Sequence, residues 1–203
     1  MKKFRLFAFC AAMLLIPASL RAQDMQLGVK SGLAAGWLTN TVLSSHDKVM
    51  PHNSFYAGLF ANCDLSDDIM FQTELIYTGR GHTDRNWENV GYKRNLMYLQ
   101  VPLFIGYKIA DKNCTIMAGP ELGYLVHSSK KVDKHKTNTT PECNKFNLAL
   151  AVQSTYMVED CLGVELKFEW GLSHTFKPGM YGEFINDNGR NVALQLGICY
   201  KFD

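Results

Sequence analysis

Beyond its first two dozen residues the chain has no apolar run approaching the ~20 residues that a membrane-spanning helix requires, so it carries no transmembrane helix. It also lacks a strong charge of one sign. The formal net charge is +2, too small to argue for a nucleic-acid partner. No internal repeat of roughly 20–50 residues is visible, and no segment is low in complexity. Signatures of chemistry are missing as well. There is no G-x-S-x-G elbow of the hydrolase type, and no two histidines stand at the H-x-x-x-H spacing of a helical metal site.

What is present begins with a basic cluster, Lys2, Lys3 and Arg5, followed by an apolar stretch over 6–16 that is too short to span a bilayer. Pro17 breaks the segment, and small residues lead to an expected cut after Ala22. This is the pattern of a secretory signal, which is set aside from the fold. Cys10 lies inside the apolar stretch behind bulky Phe9, which argues against a lipoprotein acceptor. Residues 1–22 are thus read as signal peptide and 23–203 as one domain, a size that fits a single folding unit.

The remaining sequence alternates apolar and polar residues over eight segments: 27–38, 55–64, 70–78, 98–109, 115–126, 145–157, 162–171 and 192–202. In the seventh, Leu162, Val164, Leu166, Phe168 and Trp170 share one face, while Glu165, Lys167 and Glu169 share the other. A period of two is the signature of a half-buried strand. Short connections at 65–68, 110–113 and 159–161 alternate with long ones at 39–54, 79–95, 127–144 and 173–190. That rhythm belongs to an all-β, eight-stranded, antiparallel up-and-down transmembrane barrel with short periplasmic turns and long extracellular loops. An even strand number closes the sheet without an edge. A soluble lipocalin-like barrel would alternate too, but with its apolar rows inside; the long unbroken apolar rows and the signal peptide favour the membrane version.

With the apolar rows in lipid, the lumen receives Lys30, Arg80, Lys108, Lys167 and Lys201 against Glu74, Glu121, Glu165 and Glu169. Buried charges are expected to pair. An eight-stranded barrel is only wide enough for side chains to fill it, so the expectation is a solid polar plug rather than a pore.

The segment Tyr98-Leu99-Gln100-Val101-Pro102-Leu103 resembles the "YLEIPLL" strand of the PorT-like outer-membrane β-barrel family of Bacteroidota, and Ala118-Gly119-Pro120-Glu121-Leu122-Gly123-Tyr124-Leu125 resembles that family's "GPYLGYLL" strand. The opening strand around Gly28 and the closing strand around Gly197 are similar to its first and last. The resemblance implies an outer-membrane barrel in a Gram-negative bacterium, reached by the Sec route, with no cofactor and no assigned activity. One family member is linked to type IX secretion. Tyr200 and Phe202 resemble the terminal aromatic signal read by the barrel-assembly machinery, with Asp203 following as a departure. The partners so implied are outer-membrane lipids, that machinery, and secretion or surface-complex proteins.

Several residues invite chemistry. All six histidines (His46, His52, His82, His127, His135 and His174) fall in the expected long loops, with Asp47, Glu142 and Cys143 near them. They show no recognised ligand spacing, which leaves metal binding as an alternative reading only. His127-Ser128 and Ser173-His174, with Glu121 or Glu183 as orienter, would make a lipid hydrolase only if the fold assembled a base beside a nucleophile. No catalytic residue is assigned. Lys130, Lys131, Lys134 and Lys136 form a basic stretch suited to lipopolysaccharide phosphates, or simply to solvation. Five cysteines follow the signal, an odd number that leaves at least one unpaired. Cys161 and Cys199 are the best internal disulfide candidate. Finally, Pro102 and Pro120 should lie at nearly one height across the 110–113 turn and break the hydrogen-bond ladder there, because proline has no N–H to donate. The function read from the sequence is a structural or interaction protein of the outer membrane. Binding of lipopolysaccharide, metal or a surface ligand, or a role as a secretion accessory, is the alternative; a lipid-modifying enzyme ranks last.

Overall fold

The computed structural model describes residues 25–39, 48–85, 91–109, 113–132, 135–177 and 189–202. Nine strands appear: β1 (Met25–Thr39), β2 (Lys48–Asp64), β3 (Ile69–Arg85), β4 (Gly91–Ile109), β5 (Cys114–Val132), β6 (His135–Asn138), β7 (Phe146–Met157), β8 (Leu162–Gly171) and β9 (Arg190–Lys201). Each pairs antiparallel with its sequence neighbour, except that β5 pairs with both β6 and β7. β1 pairs with β9 over Gly28↔Lys201 to Thr39↔Arg190 and closes the ring. The barrel therefore has eight strands, and β6 is a short extra strand above it. No helix among the described residues is long and apolar enough to cross a membrane.

The two faces separate as the alternation requires. Leu166, Trp170, Leu194, Leu196 and Ile198 are exposed on the outside, whereas Glu165, Lys167, Glu169 and Gln195 are buried within. Aromatics gather at both margins of the apolar band. Tyr77, Leu99, Tyr124 and Phe146 stand side by side on β3, β4, β5 and β7, with Tyr124 and Phe146 packed edge to face at 5.4 Å. Tyr200 and Phe202 pack similarly at 6.0 Å near the other margin. Paired aromatic girdles are what a bilayer's two interfaces select. Val192, which shares the outward row, is nonetheless buried, since its register partners on the two flanking strands are Trp37 and Trp170.

The short connections fall where expected, at 65–68, 110–113 and, one residue early, 158–161. Asn113 ends the second of these in the left-handed region, with φ 47°, which asparagine tolerates better than most residues. Three of the four long connections are shorter than the sequence implied, while the last, 172–189, keeps its length. β2, β3, β4 and β5 continue past the apolar band, to Lys48, Arg85, Gly91 and Val132. Above the apolar band the outer face of a strand turns polar while the inner face buries polar residues such as Arg94 and Ser128 beside Leu96, so the alternation that marks it fades.

The two prolines do interrupt the ladder. Pairing between β4 and β5 stops at Pro102↔Glu121 and resumes at Ile105↔Ala118, without a register change. Pro120 thus falls opposite Leu103, one residue from Pro102 in height. Gly119 fits this gap because a Cβ there would sit 1.9 Å from the Leu103 carbonyl oxygen. On the other side of β4 the β3 pairing also lapses, between Thr73↔Leu103 and Ile76↔Gln100. Thr73 Oγ1 donates to the Pro102 carbonyl at 3.1 Å instead.

Candidate functional site

The lumen holds one connected charge network. Lys30 Nζ lies 2.7 Å from both Glu74 Oε1 and Glu165 Oε2. Lys167 Nζ lies 3.1 Å from Glu121 Oε2 and 3.1 Å from Glu169 Oε1. Arg80 meets Glu121 at 2.8 Å, meets Glu169 as well, and stacks over the Tyr98 ring at 5.5 Å. None of these seven side chains is more than 2% exposed. Three cations face four carboxylates, and neutral donors serve the surplus lone pairs. Tyr56 donates to Glu165 at 2.6 Å, Gln72 to Glu74 at 2.6 Å, Gln195 to Glu169 at 2.7 Å, and Gln100 to Glu121. Tyr56 can cross the lumen because Gly32 and Gly197 lie paired beneath its ring; a Cβ on Gly197 would stand 2.2 Å from its hydroxyl. Of the charges expected inside, Lys108 and Lys201 instead line the periplasmic opening, where Lys108 pairs with Asp64 at 2.5 Å.

Above the network sits an apolar plug. Leu38 of β1, Leu96 and Tyr98 of β4, and Leu125 of β5 pack with Cys143 and Phe176 from the connections. β1 and β5 stand opposite each other in the ring, so this cluster spans the outer mouth. A single 3-10 turn, Thr140–Glu142, leads into Cys143, which bridges to Phe176. Arg94 clamps the plug by stacking over Phe176 at 4.9 Å and reaching Glu142 Oε2 at 3.0 Å. Burial pushes the Cys143 thiol above its usual range.

The basic stretch is reorganised by the strands. Lys131 lies opposite Lys136 on β6 and opposite Lys93 on β4. Directly opposed residues share a face and stand about 5 Å apart, so the three lysines form one exposed row. It continues the outward row of β4 beyond Leu99 and Met97, about 10 Å above the end of the apolar band for a tilted strand. Lys130 turns to the other face of β5, opposite Arg94. Lys134 lies outside the described residues. Lys93 escaped the sequence reading because it is remote in the chain. The hairpin about 110–113 would pair it with Lys130, but a one-residue bulge at Val126 shifts the partner to Lys131. Re-aiming a side chain is what a bulge does.

The other candidates do not assemble. Four histidines expected in loops stand on strands instead: His52 on β2, His82 on β3, His127 on β5 and His135 on β6. His174 is on the 172–189 connection, and His46 lies outside the described residues. Among the described residues no group of three metal-binding side chains forms from histidine, cysteine and acids. Ser128 Oγ is hydrogen bonded to Thr139 Oγ1 at 2.8 Å, and Ser173 Oγ accepts from Asn147 and from the Leu148 amide. Among the described residues neither has a histidine as its hydrogen-bond partner. Glu121 is committed to the ion network, while Asp47 and Glu183 lie outside the described residues. All five described cysteines are free thiols, so the expected Cys161–Cys199 bridge is not formed. Cys199 pairs with Gly163, two residues along from Cys161, and such diagonal neighbours stand about 7–8 Å apart.

Among curated proteins none matches this sequence. Among solved structures, the attachment invasion locus protein Ail of Yersinia pestis is similar, at 13% identity and a TM-score of 0.53, over 89% of this chain and all of that one. Neisserial surface protein A is similar at 15% identity and a TM-score of 0.55, over 87% of this chain and 97% of its own. At such identities the likeness is one of fold, and both are small outer-membrane barrels. The model of the outer membrane protein beta-barrel domain matches residues 21–177, and the chain belongs to that family of outer-membrane β-barrels.

Proposed function

We propose that this protein, exported through the Sec route after loss of residues 1–22 and inserted by the barrel-assembly machinery of a Gram-negative cell, is a non-catalytic, non-conducting structural or interaction barrel that grips lipopolysaccharide. The resemblance of the segments over 98–103 and 118–125 to PorT-like strands supports reading it as a member of that branch of its family. The observation that carries the lipid reading is the row Lys93–Lys131–Lys136. Like charges set directly opposite on a sheet repel, and among the described residues none of the three joins an ion pair. Phosphates of the outer-leaflet headgroups offer the missing counter-charge at that height. Each lysine near an anionic membrane surface contributes about 1 kcal/mol. The test compares barrels in bilayer discs containing lipopolysaccharide, its dephosphorylated form, or neutral lipid. Phosphorylated lipopolysaccharide should raise the unfolding midpoint of the wild type, and serine at all three positions should abolish the gain while leaving stability in neutral lipid unchanged. An equal gain in the triple variant would remove this reading.

A further inference from the structure

Below the ion network the lumen opens into a vestibule of about 460 Å³ at the periplasmic end. Four sulfur side chains face it, Met70, Met117, Met157 and Cys199. The sulfurs come in two similar arrangements. Met70, Gly106 and Met117 form one row across β3, β4 and β5. Met157, Gly163 and Cys199 form another across β7, β8 and β9. In each row the central glycine leaves room that its neighbours occupy. A Cβ on Gly163 would stand 2.8 Å from Met157 Sδ and 2.9 Å from Cys199 Sγ, so these two sulfurs converge on one point. A Cβ on Gly106 would stand 2.9 Å from Met70 Cγ and 3.2 Å from Met117 Cβ.

Methionine often serves to fill irregular gaps in a core. Here the sulfur side chains cover the glycines, yet the chamber that they border stays open. The Cys199 thiol on β9 is not consumed in a disulfide. Thiol and thioether sulfur are soft donors that select Cu(I) over hard cations. Glu165 also lines the vestibule and extends the negative ion network to its inner end.

We infer that the periplasmic vestibule is a binding site for a soft monovalent cation, Cu(I), with Met157 and Cys199 as its primary ligands and Met70 and Met117 lining the same chamber. On binding, the Cys199 S–H bond breaks, its proton leaves to water, and the sulfur donates an electron pair to the metal; no electron is transferred. The site is separate from the lysine row, at the opposite end of the barrel.

The test is a Cu(I) titration of the detergent-folded barrel, under reductant, against a chromophoric Cu(I) chelator. Wild type, Met157→Leu, Cys199→Ser and Cys63→Ser are compared, each first shown to be folded by heat-modifiable gel mobility. Cys63 serves as control because it belongs to the outward row beside Met25 and Phe71. The wild type and Cys63→Ser should hold one equivalent alike. Met157→Leu and Cys199→Ser should weaken it by about tenfold or more, the scale on which even outer-shell changes act at metal sites. If Cys199→Ser fails to fold, the nearly isosteric Met157→Leu carries the test alone. A wild type that surrenders Cu(I) as readily as Met157→Leu, or a Cys63→Ser variant that loses it equally, would overturn the assignment.

Discussion

The two ends of the barrel are built on opposite plans. At the extracellular end, Phe176 and Cys143 fold in from long connections and pack against Leu38, Leu96 and Leu125. At the periplasmic end, turns such as 65–68 and 158–161 have no chain to spare, and the mouth stays open as a sulfur-lined vestibule. Connection length thus decides which end is stoppered. Between them lies the septum of Lys30, Arg80 and Lys167 with their four glutamates, which the strands alone supply.

Lys167→Met breaks the septum most severely. It removes one of the two cations that Glu121 and Glu169 share, leaving both carboxylates to Arg80 alone, and uncompensated buried charge costs about 3–5 kcal/mol. Urea midpoints of the lipid-reconstituted protein should fall accordingly; an unchanged midpoint would mean that water already bathes these carboxylates. Leu166→Arg sharpens the contrast from the neighbouring position. Leu166 is 48% exposed while Lys167 is buried, and arginine on the lipid face costs about 2–4 kcal/mol near the midplane. The same change made without loss of stability would place that face in water.

The smallest effect compares the two ends directly. The Cys143 thiol is buried in the plug and held above the usual thiol range by that burial. A raised value leaves less thiolate, the reactive form, at any given pH. Maleimide labelling of Cys143 should therefore lag behind that of Cys161, a half-buried thiol in the periplasmic turn 158–161, and should quicken as pH rises. Faster labelling of Cys143 at neutral pH would show that the plug is loose.

Much of this was legible in the sequence, and the reason is local. A strand with lipid on one side and a polar lumen on the other keeps a strict period of two, so Leu166 and Lys167 declare their faces unaided. Pro102 and Pro120 declared the ladder break through their missing donors. The upper strand ends were not legible, because residues such as His52 and His127 lie where the outward row is no longer continuously apolar. The lysine row was half-legible. The run 130–136 is visible, but which lysines share a face depends on the bulge at Val126, and no periodicity announces a single inserted residue. The plug was illegible because Phe176 and Cys143 meet Leu38 only through closure of the ring.

Septum and plug together fill the lumen between the two mouths. Planar-bilayer recording of the purified barrel reads this directly. The wild type should show no conductance under an applied potential. Long-lived ohmic steps from the wild-type protein would contradict it.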